Sequence, residues 1–234
     1  MEINGYKIEP GAKLVNANLT GANLTGADLT GADLTGADLR EAILSGANLC
    51  DAILFCANLS FANLTDANFE GADMCELIME DVDLAGANFY AFELEQINMA
   101  GANLTGANLE SANLAGANLE GANLTGANLT GANLGKTAPS EDDLIDAYLE
   151  RKNPADLYES DNGAANLIGA DLTRSDLSGA NLESAMLTGA NLTGANLNQA
   201  YLKRADLRGA NLTDANLTDA NLTGATMPDG TTHS

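Results

Sequence analysis

Large apolar residues recur at every fifth position along most of this chain. The central position of each five-residue unit is Leu, Met or Phe at 25 consecutive places from Leu14 to Leu134, and at 13 more from Leu167 to Met227. A small residue, almost always Ala, lies two places before the central residue, and usually Asn or Asp lies one place before it. A period of five fits neither the 3.6 residues of a helical turn nor a flat strand, so the chain is predicted to turn once per repeat.

The alternation of side chains in extended backbone assigns each place of the repeat to the inside or the outside. Ala and the central residue are two apart and face the interior, whereas the Asn or Asp between them faces solvent. The two places that follow form a corner, and 19 of the 24 Gly residues occupy its second place. A type II turn needs a positive φ there, which Gly adopts at no steric cost. Corners that carry Glu41, Asp51, Cys56 or Phe61 at this place are expected to use a different turn type.

Units such as ANLTG, ADLTG and ANLEG resemble the pentapeptide-repeat family, whose pattern is Ala, then Asn or Asp, then Leu and two variable residues. The resemblance covers residues 12–227 outside one insertion, and the ending GATMPDGTTH is similar to the tail of cyanobacterial members. It implies an all-β fold, a right-handed quadrilateral β-helix with four repeats per coil. At roughly 4.8 Å per stacked coil, the 38 repeats would form a rod about 45 Å long.

Stacking every 20 residues predicts which interior side chains meet. Phe69 and Phe89 are expected to lie one coil apart on one side of the rod. The inward Ala position is taken by larger residues in one coil, namely Leu77, Val82, Phe92 and Ile97. Extra volume in a packed core forces the backbone to shift, so a wider or distorted coil is expected there, with Phe92 pointing inward.

The repeats are interrupted once, by a segment of different character. Ser140, with Asp143 three residues later, resembles a helix capping box, and Leu144 and Tyr148 fall on one face of the predicted helix. Pro154 prevents the helix from continuing. The rod then restarts either at Leu167 or, in phase with it, at Leu157, although Asn162 at the next central place disfavours the earlier restart.

These boundaries give five parts, which are an N-terminal cap over residues 1–11, about six coils of repeats over 12–135, an insertion over 136–163 with a short helix near 140–152, about three coils over 164–227, and a tail over 228–234.

The chain is strongly acidic, with 33 acidic and 10 basic residues and a net charge of −23. This charge disfavours binding to nucleic acid or to an anionic membrane, since both are polyanions, and is compatible with a basic protein partner. The first residues contain no apolar run typical of a signal sequence, and the three Cys are expected to be free thiols in a reducing cytoplasm. A monomer is slightly favoured, although the sequence leaves the oligomeric state open.

No group of residues in the sequence has the spacing of a catalytic, metal or cofactor site. The single His233 lies in the tail, no His/Cys cluster has metal-ligand spacing, and no glycine-rich loop opens a helix. The Gly residues are explained as turn residues. The sequence therefore predicts a non-enzymatic protein without a cofactor.

Candidate interaction residues fall in three groups. An unusual set of outward-facing apolar residues marks the first run of repeats, the predicted helix of the insertion presents an apolar pair, and a small basic group interrupts the acidity of the second run. In that order the residues are Ile43, Ile53, Phe55 and Phe61; Leu144 and Tyr148; and Lys203, Arg204 and Arg208.

The preferred interpretation is a scaffold that mediates protein–protein interaction, with two alternatives. The resemblance implies one of them, because some family members protect DNA gyrase by acting as acidic mimics of DNA. A mimic needs aligned stripes of charge, whereas Asp33, Glu41 and Asp51 are assigned to different faces, and the C-terminal dimer module of those inhibitors is not seen in this sequence. The other alternative is a purely structural spacer rod.

The insertion is predicted to pack against the rod near Lys203, Arg204 and Arg208. Residues 136–163 contain eight acids and three bases. If Leu167 follows Leu134 directly around the coil, they leave the rod at the corner where Lys203 and Arg204 project two coils further along. Exposed ion pairs contribute about 0–1 kcal/mol each, so the docking should weaken with salt. A short carboxyl–amine crosslinker should join Lys203 to an acid within residues 141–161. Crosslinks from the insertion to the Phe55 region, or none, would contradict this prediction.

Overall fold

The computed structural model describes residues 2–74, 77–89, 92–135 and 164–234. The chain opens with a short antiparallel hairpin of strands β1 (Glu2–Ile3) and β2 (Tyr6–Lys7). The repeats that follow form isolated parallel β-bridges at the Asn or Asp positions rather than long strands. Because the chain turns every five residues, each side of a coil is long enough for only one bridged residue.

The bridges join residues 20 positions apart, for example Asn18 to Asp38 and Asp38 to Asn58. Each coil therefore holds four repeats and has four faces. We number the faces 1 to 4 after the central residues Leu14, Leu19, Leu24 and Leu29 of the first coil, and the same face recurs every 20 residues.

Backbone hydrogen bonds run in both directions from every coil. The amide of Leu14 donates to the carbonyl of Asp33 at 2.7 Å, and the amide of Asp33 donates to the carbonyl of Ala12 at 2.9 Å. The same pair of bonds recurs around the coil, as in a parallel sheet. The stacking of coils thus satisfies the backbone of each flat side.

The corners share one backbone conformation, whatever residue they carry. At the second corner place Gly21 has a φ of 64°, while Glu41, Asp51, Cys56 and Phe61 have φ values of 61°, 56°, 54° and 62°. The expectation of a different turn type at these four residues was wrong. The reason is that the corner amide bonds to the next coil, as from Phe61 to the carbonyl of Glu80 at 3.0 Å, so stacking imposes the turn on any side chain.

The interior is a column of Leu and Ala with a few larger side chains. The rings of Phe69 and Phe89 are stacked with centroids 5.4 Å apart, which confirms the predicted contact between neighbouring coils. Leu77, Val82 and Ile97 are buried at the Ala position. Phe92 is only half-buried; it packs edge-on against Phe89 at 6.0 Å, so it does not point fully inward as predicted.

The ladder of bridges continues across the insertion without a change of register. Asn118 pairs with Asn166 and Asn133 with Asn181, a separation of 48 positions that equals one coil plus 28 residues. The amide of Ala165 donates to the carbonyl of Leu134 at 2.9 Å. The chain therefore leaves and returns at one corner between faces 1 and 2. The helix predicted near 140–152 and Leu157 lie outside the described residues.

Polar contacts and a reversed segment close the two ends of the rod. Next to the N-terminal hairpin, the side-chain amide of Asn4 donates to the carbonyl of Asn18 at 3.2 Å. In the tail, Thr226 and Thr232 form an antiparallel bridge, and Gly224 donates to the carbonyl of His233 at 2.8 Å. The backbone of His233 thus forms hydrogen bonds with the last coil.

We predict that Phe92→Ala lowers the free energy of unfolding less than Phe89→Ala does. Truncating a fully buried Phe costs about 3–5 kcal/mol, and half-burial should reduce this to about 1–3 kcal/mol for Phe92. Urea unfolding followed by circular dichroism provides both values. Equal losses for the two variants would contradict the half-buried position of Phe92.

Candidate functional site

The exterior of most repeats satisfies its own polar groups. In a typical repeat the Asp28 carboxylate accepts from the Thr30 amide at 3.1 Å and from the Thr30 hydroxyl at 2.6 Å, and these bonds lower the pKa of Asp28. Between coils, the side-chain amide of Asn133 donates to Asn113 at 3.0 Å. This regular surface leaves little for a ligand to recognise, so places that break it are the candidates.

One such place is a group of exposed apolar side chains on three adjacent coils, here called the apolar belt. Ile53 and Phe55 lie on face 1 and its corner, 40% and 38% exposed, and Phe61 lies at the corner of faces 2 and 3, 59% exposed. Ile43 lies below Asn63 on face 3, and Ile78 lies above Asn58 on face 2. The belt thus consists of Ile43, Ile53, Phe55, Phe61 and Ile78.

Ile78 was missed by the sequence analysis. It occupies the outward place just before the central Met79, where Asn or Asp is usual, so the repeat itself carried the signal. Its partner across the bridge, Asn58, belongs to the same coil as Phe55 and Phe61. Ile78 therefore joins residues that the sequence had placed on separate faces.

Phe61 combines two unfavourable features. Its side chain is the most exposed of the large apolar residues of the described chain, and its backbone is left-handed with a φ of 62°. A left-handed residue other than Gly costs roughly 1–2 kcal/mol. Many corners share this left-handed backbone, so it is the exposure of the aromatic ring that points to a surface used for contact.

Directly above the belt, the rod opens into a cleft of about 900 Å³. One side is formed by residues 70–74 and the other by residues 92–97. Met74, Leu94 and Ile97 are buried at its floor, and the half-buried Phe92 lines one side. The cleft lies where the larger residues replace inward Ala, which is where the sequence predicted a distorted coil.

Carboxylates surround this cleft, and the part of the sequence that forms it contains no basic residue. Glu70, Asp73, Glu93 and Glu95 line it. From residue 41 to residue 135 the sequence contains thirteen acidic residues and no Lys or Arg. The cleft therefore presents negative charge around an apolar floor.

The basic group predicted near the insertion is already partly neutralised. Lys203 contacts Glu183 of the neighbouring coil at 3.4 Å, and Arg208 forms a bidentate pair with Asp206 that lowers the pKa of the Asp206 carboxyl. Arg204 occupies a left-handed corner with a φ of 60°. The predicted insertion residues Leu144 and Tyr148 lie outside the described residues, so their proximity to this group stays a prediction.

Other chemistry receives little support within the described ranges. No group of three or more His, Cys, Asp or Glu residues could hold a metal ion there, and no helix is long and apolar enough to cross a membrane. Cys50 is a free thiol, Cys56 is exposed, and Cys75 is outside the described residues. Burial, followed by the charges of Glu70 and Asp51, raises the pKa of the Cys50 thiol, so it is a poor nucleophile.

The sequence matches the model of a family described as pentapeptide repeats, over residues 11–40, 32–71, 52–89, 102–137, 165–204 and 190–227. These ranges include well over half of the chain. No curated protein matches the chain significantly.

Solved structures of similar proteins include HetL, a pentapeptide repeat protein involved in heterocyst differentiation regulation from the cyanobacterium Nostoc sp. strain PCC 7120. It is 33% identical, with 96% of this chain and 94% of HetL covered and a TM-score of 0.37. A trypsin-treated QnrB1, a plasmid-mediated fluoroquinolone resistance protein, is 17% identical, with 89% and 90% covered and a TM-score of 0.51. The family match and the fold shared with QnrB1 indicate a right-handed quadrilateral β-helix.

We predict that Phe61→Gly raises the free energy of unfolding by about 1 kcal/mol. Gly removes the cost of the left-handed backbone, and its greater freedom in the unfolded chain offsets part of that gain. Glu41→Gly is a matched control, since Glu41 lies at the same corner one coil below with a φ of 61°. Chemical unfolding should show a similar gain for both variants. A loss of stability in Phe61→Gly would show that the Phe61 ring contributes packing that outweighs its strain.

Proposed function

Since the chain belongs to the pentapeptide-repeat family, we propose that it is a non-enzymatic rod that binds a protein partner through the apolar belt. The observation that carries this proposal is Phe61, an aromatic residue that is 59% exposed on a left-handed corner. Phe55, at the other end of face 2, and Ile53, on face 1, extend the apolar surface around the same coil. Two exposed aromatic residues beside aliphatic ones are the composition of an interface centre.

The charge around the belt restricts the kind of partner. Glu41 lies one coil below Phe61 and Asp81 one coil above it, at the same corner. Carboxylates beside an apolar centre favour a partner whose apolar patch is bordered by Lys or Arg, because the complementary charges steer the encounter. The same charges repel nucleic acid and anionic lipid. The proposed partner is therefore a protein with a basic surface.

The likeness to HetL is compatible with a regulatory role exerted through contact. HetL is described as involved in heterocyst differentiation regulation. A rod without a catalytic group can regulate another protein only by binding it. We therefore place this chain among regulators that act by occupying a surface of their target.

A second candidate function is mimicry of DNA toward an enzyme such as DNA gyrase. The net charge of −23 and the fold shared with the fluoroquinolone resistance protein QnrB1 favour it. The arrangement of charge does not. Asp33 lies on face 1, Glu41 at the corner of faces 2 and 3, and Asp51 at the corner of faces 4 and 1. The belt also interrupts the acidic surface, so protein binding is the preferred function.

The protein-binding role predicts that partner capture depends on the belt. Immobilised wild-type protein should retain a defined partner from an extract of the source organism, and a Phe55→Thr/Phe61→Gly variant should retain at least tenfold less, because interface aromatic residues contribute about 2 kcal/mol or more each. Thr and Gly are the usual residues of these two corner places, so the variant keeps its fold. Gln199→Gly, at a distant corner whose residue also has a left-handed backbone with a φ of 57°, is the control and should retain the partner.

Two outcomes would contradict this proposal. Inhibition of gyrase supercoiling by the wild type and by the belt variant alike would favour DNA mimicry. Retention of no specific partner by any variant would favour the spacer rod.

A further inference from the structure

We propose that the cleft above the belt receives one arginine side chain from an extended segment of the protein partner. The segment would run along face 1, with the guanidinium between residues 70–74 and 92–97 and an apolar side chain on Ile53 and Phe55. This inference rests on the proposed function and specifies its partner. The cleft's shape, its charge and its position relative to the belt each support it.

The cleft has room for a long side chain together with the backbone that carries it. Its volume of about 900 Å³ lies within the range of ligand pockets, roughly 300–1,000 Å³, and it opens to solvent on face 1. The apolar floor of Met74, Leu94 and Ile97 can pack against the methylene groups of the guest. Phe92 lines the cleft and is half-buried, so part of its ring can be reached by a cation.

The negative charge of the cleft favours a cation, and the presence of an aromatic ring beside the carboxylates favours arginine over lysine. Glu93 is held in place by Asn113, whose side-chain amide donates to it at 2.8 Å, and Glu70, Asp73 and Glu95 lie around the same opening. A guanidinium is less strongly hydrated than an ammonium group, stacks on aromatic rings and donates to two carboxylate oxygens at once. A cleft that combines carboxylates with Phe92 offers all three interactions.

The cleft and the belt are continuous along face 1. Asp73, which lines the cleft, forms a parallel bridge with Ile53 directly below it. Successive coils are about 4.8 Å apart, so Ile53 lies about 7 Å below the middle of the cleft. Residues two apart in an extended chain are separated by about 6.7 Å and point to the same side. An extended segment with arginine at one position and an apolar residue two positions along therefore fits both features.

The test uses the full-length protein and an acetylated, amidated pentapeptide with the sequence Ser-Arg-Ser-Leu-Ser. Titration of the protein should shift the methyl resonances of Met74, Ile97 and Ile53, and leave those of the distant Met186 and Ile168 unchanged. The same peptide with citrulline in place of arginine keeps the shape and loses the charge. It should bind about tenfold more weakly, because hydrogen bonds to a charged group contribute more than neutral ones.

Two double variants measure how much the carboxylates of the cleft contribute to peptide binding. Glu93→Gln/Glu95→Gln removes two charges from the cleft and should weaken the arginine peptide about tenfold, whereas Asp214→Asn/Asp219→Asn removes two charges from distant corners and should weaken it less than twofold. Equal binding of the arginine and citrulline peptides would overturn the inference. So would equal losses in the two double variants, since the effect would then be one of net charge.

The remaining outcomes separate this inference from the proposed function. If partner capture requires Phe55 and Phe61 but is unchanged by Glu93→Gln/Glu95→Gln, the rod binds its partner and the cleft takes no part. A variant without residues 136–163, with Ala164→Gly to form the corner, tests the chain's own insertion as the occupant. If only this variant binds the peptide, the cleft is filled from within the chain and the inference is wrong.

Discussion

Hydrogen bonding between residues 20 positions apart is the constraint on which this structure depends. Most coils donate and accept along their faces, as the bonds linking Leu14, Asp33 and Ala12 illustrate. The coils therefore stay in register whatever side chains they carry. The Leu and Ala column, the ladder of Asn side chains and the left-handed corners follow from this stacking. A single repeat buries too little to fold alone, and its stability comes from its neighbours above and below.

The sequence predicted the interior well, because a period of five fixes both direction and register. Phe69 and Phe89 could be placed in contact from their numbers alone. The corners were less predictable. Glu41 and Phe61 lack the conformational freedom of Gly, and local preference suggested another turn, yet the hydrogen bond to the next coil outweighs about 1–2 kcal/mol of strain. The half-burial of Phe92 depends on how several large residues share one coil, which no single repeat encodes.

The candidate site was predicted only in part. Ile43, Ile53, Phe55 and Phe61 stand at outward places that the repeat identifies, whereas the cleft arises from packing and was anticipated only as a distortion. The residues that distort the coil lie beside the acidic side chains Glu70, Glu93 and Glu95, which line the cleft. Departures from the repeat, in core and surface alike, thus concentrate in the second to fifth coils. A regular rod acquires a distinctive surface where its repeats are least regular.

Because the ladder of bridges is uninterrupted across residues 136–163, these residues lengthen the chain without lengthening the rod. Asn133 forms a parallel bridge with Asn181, just as residues elsewhere in the rod form bridges with the residue 20 positions further along. The cost of closing a loop grows only slowly with its length. A corner can therefore accept a peptide tag, a reporter domain or a second binding module while the coils on either side keep their phase. In engineering terms, the corner of the seventh coil after Leu134 is an attachment point that leaves the stacking of the coils unchanged.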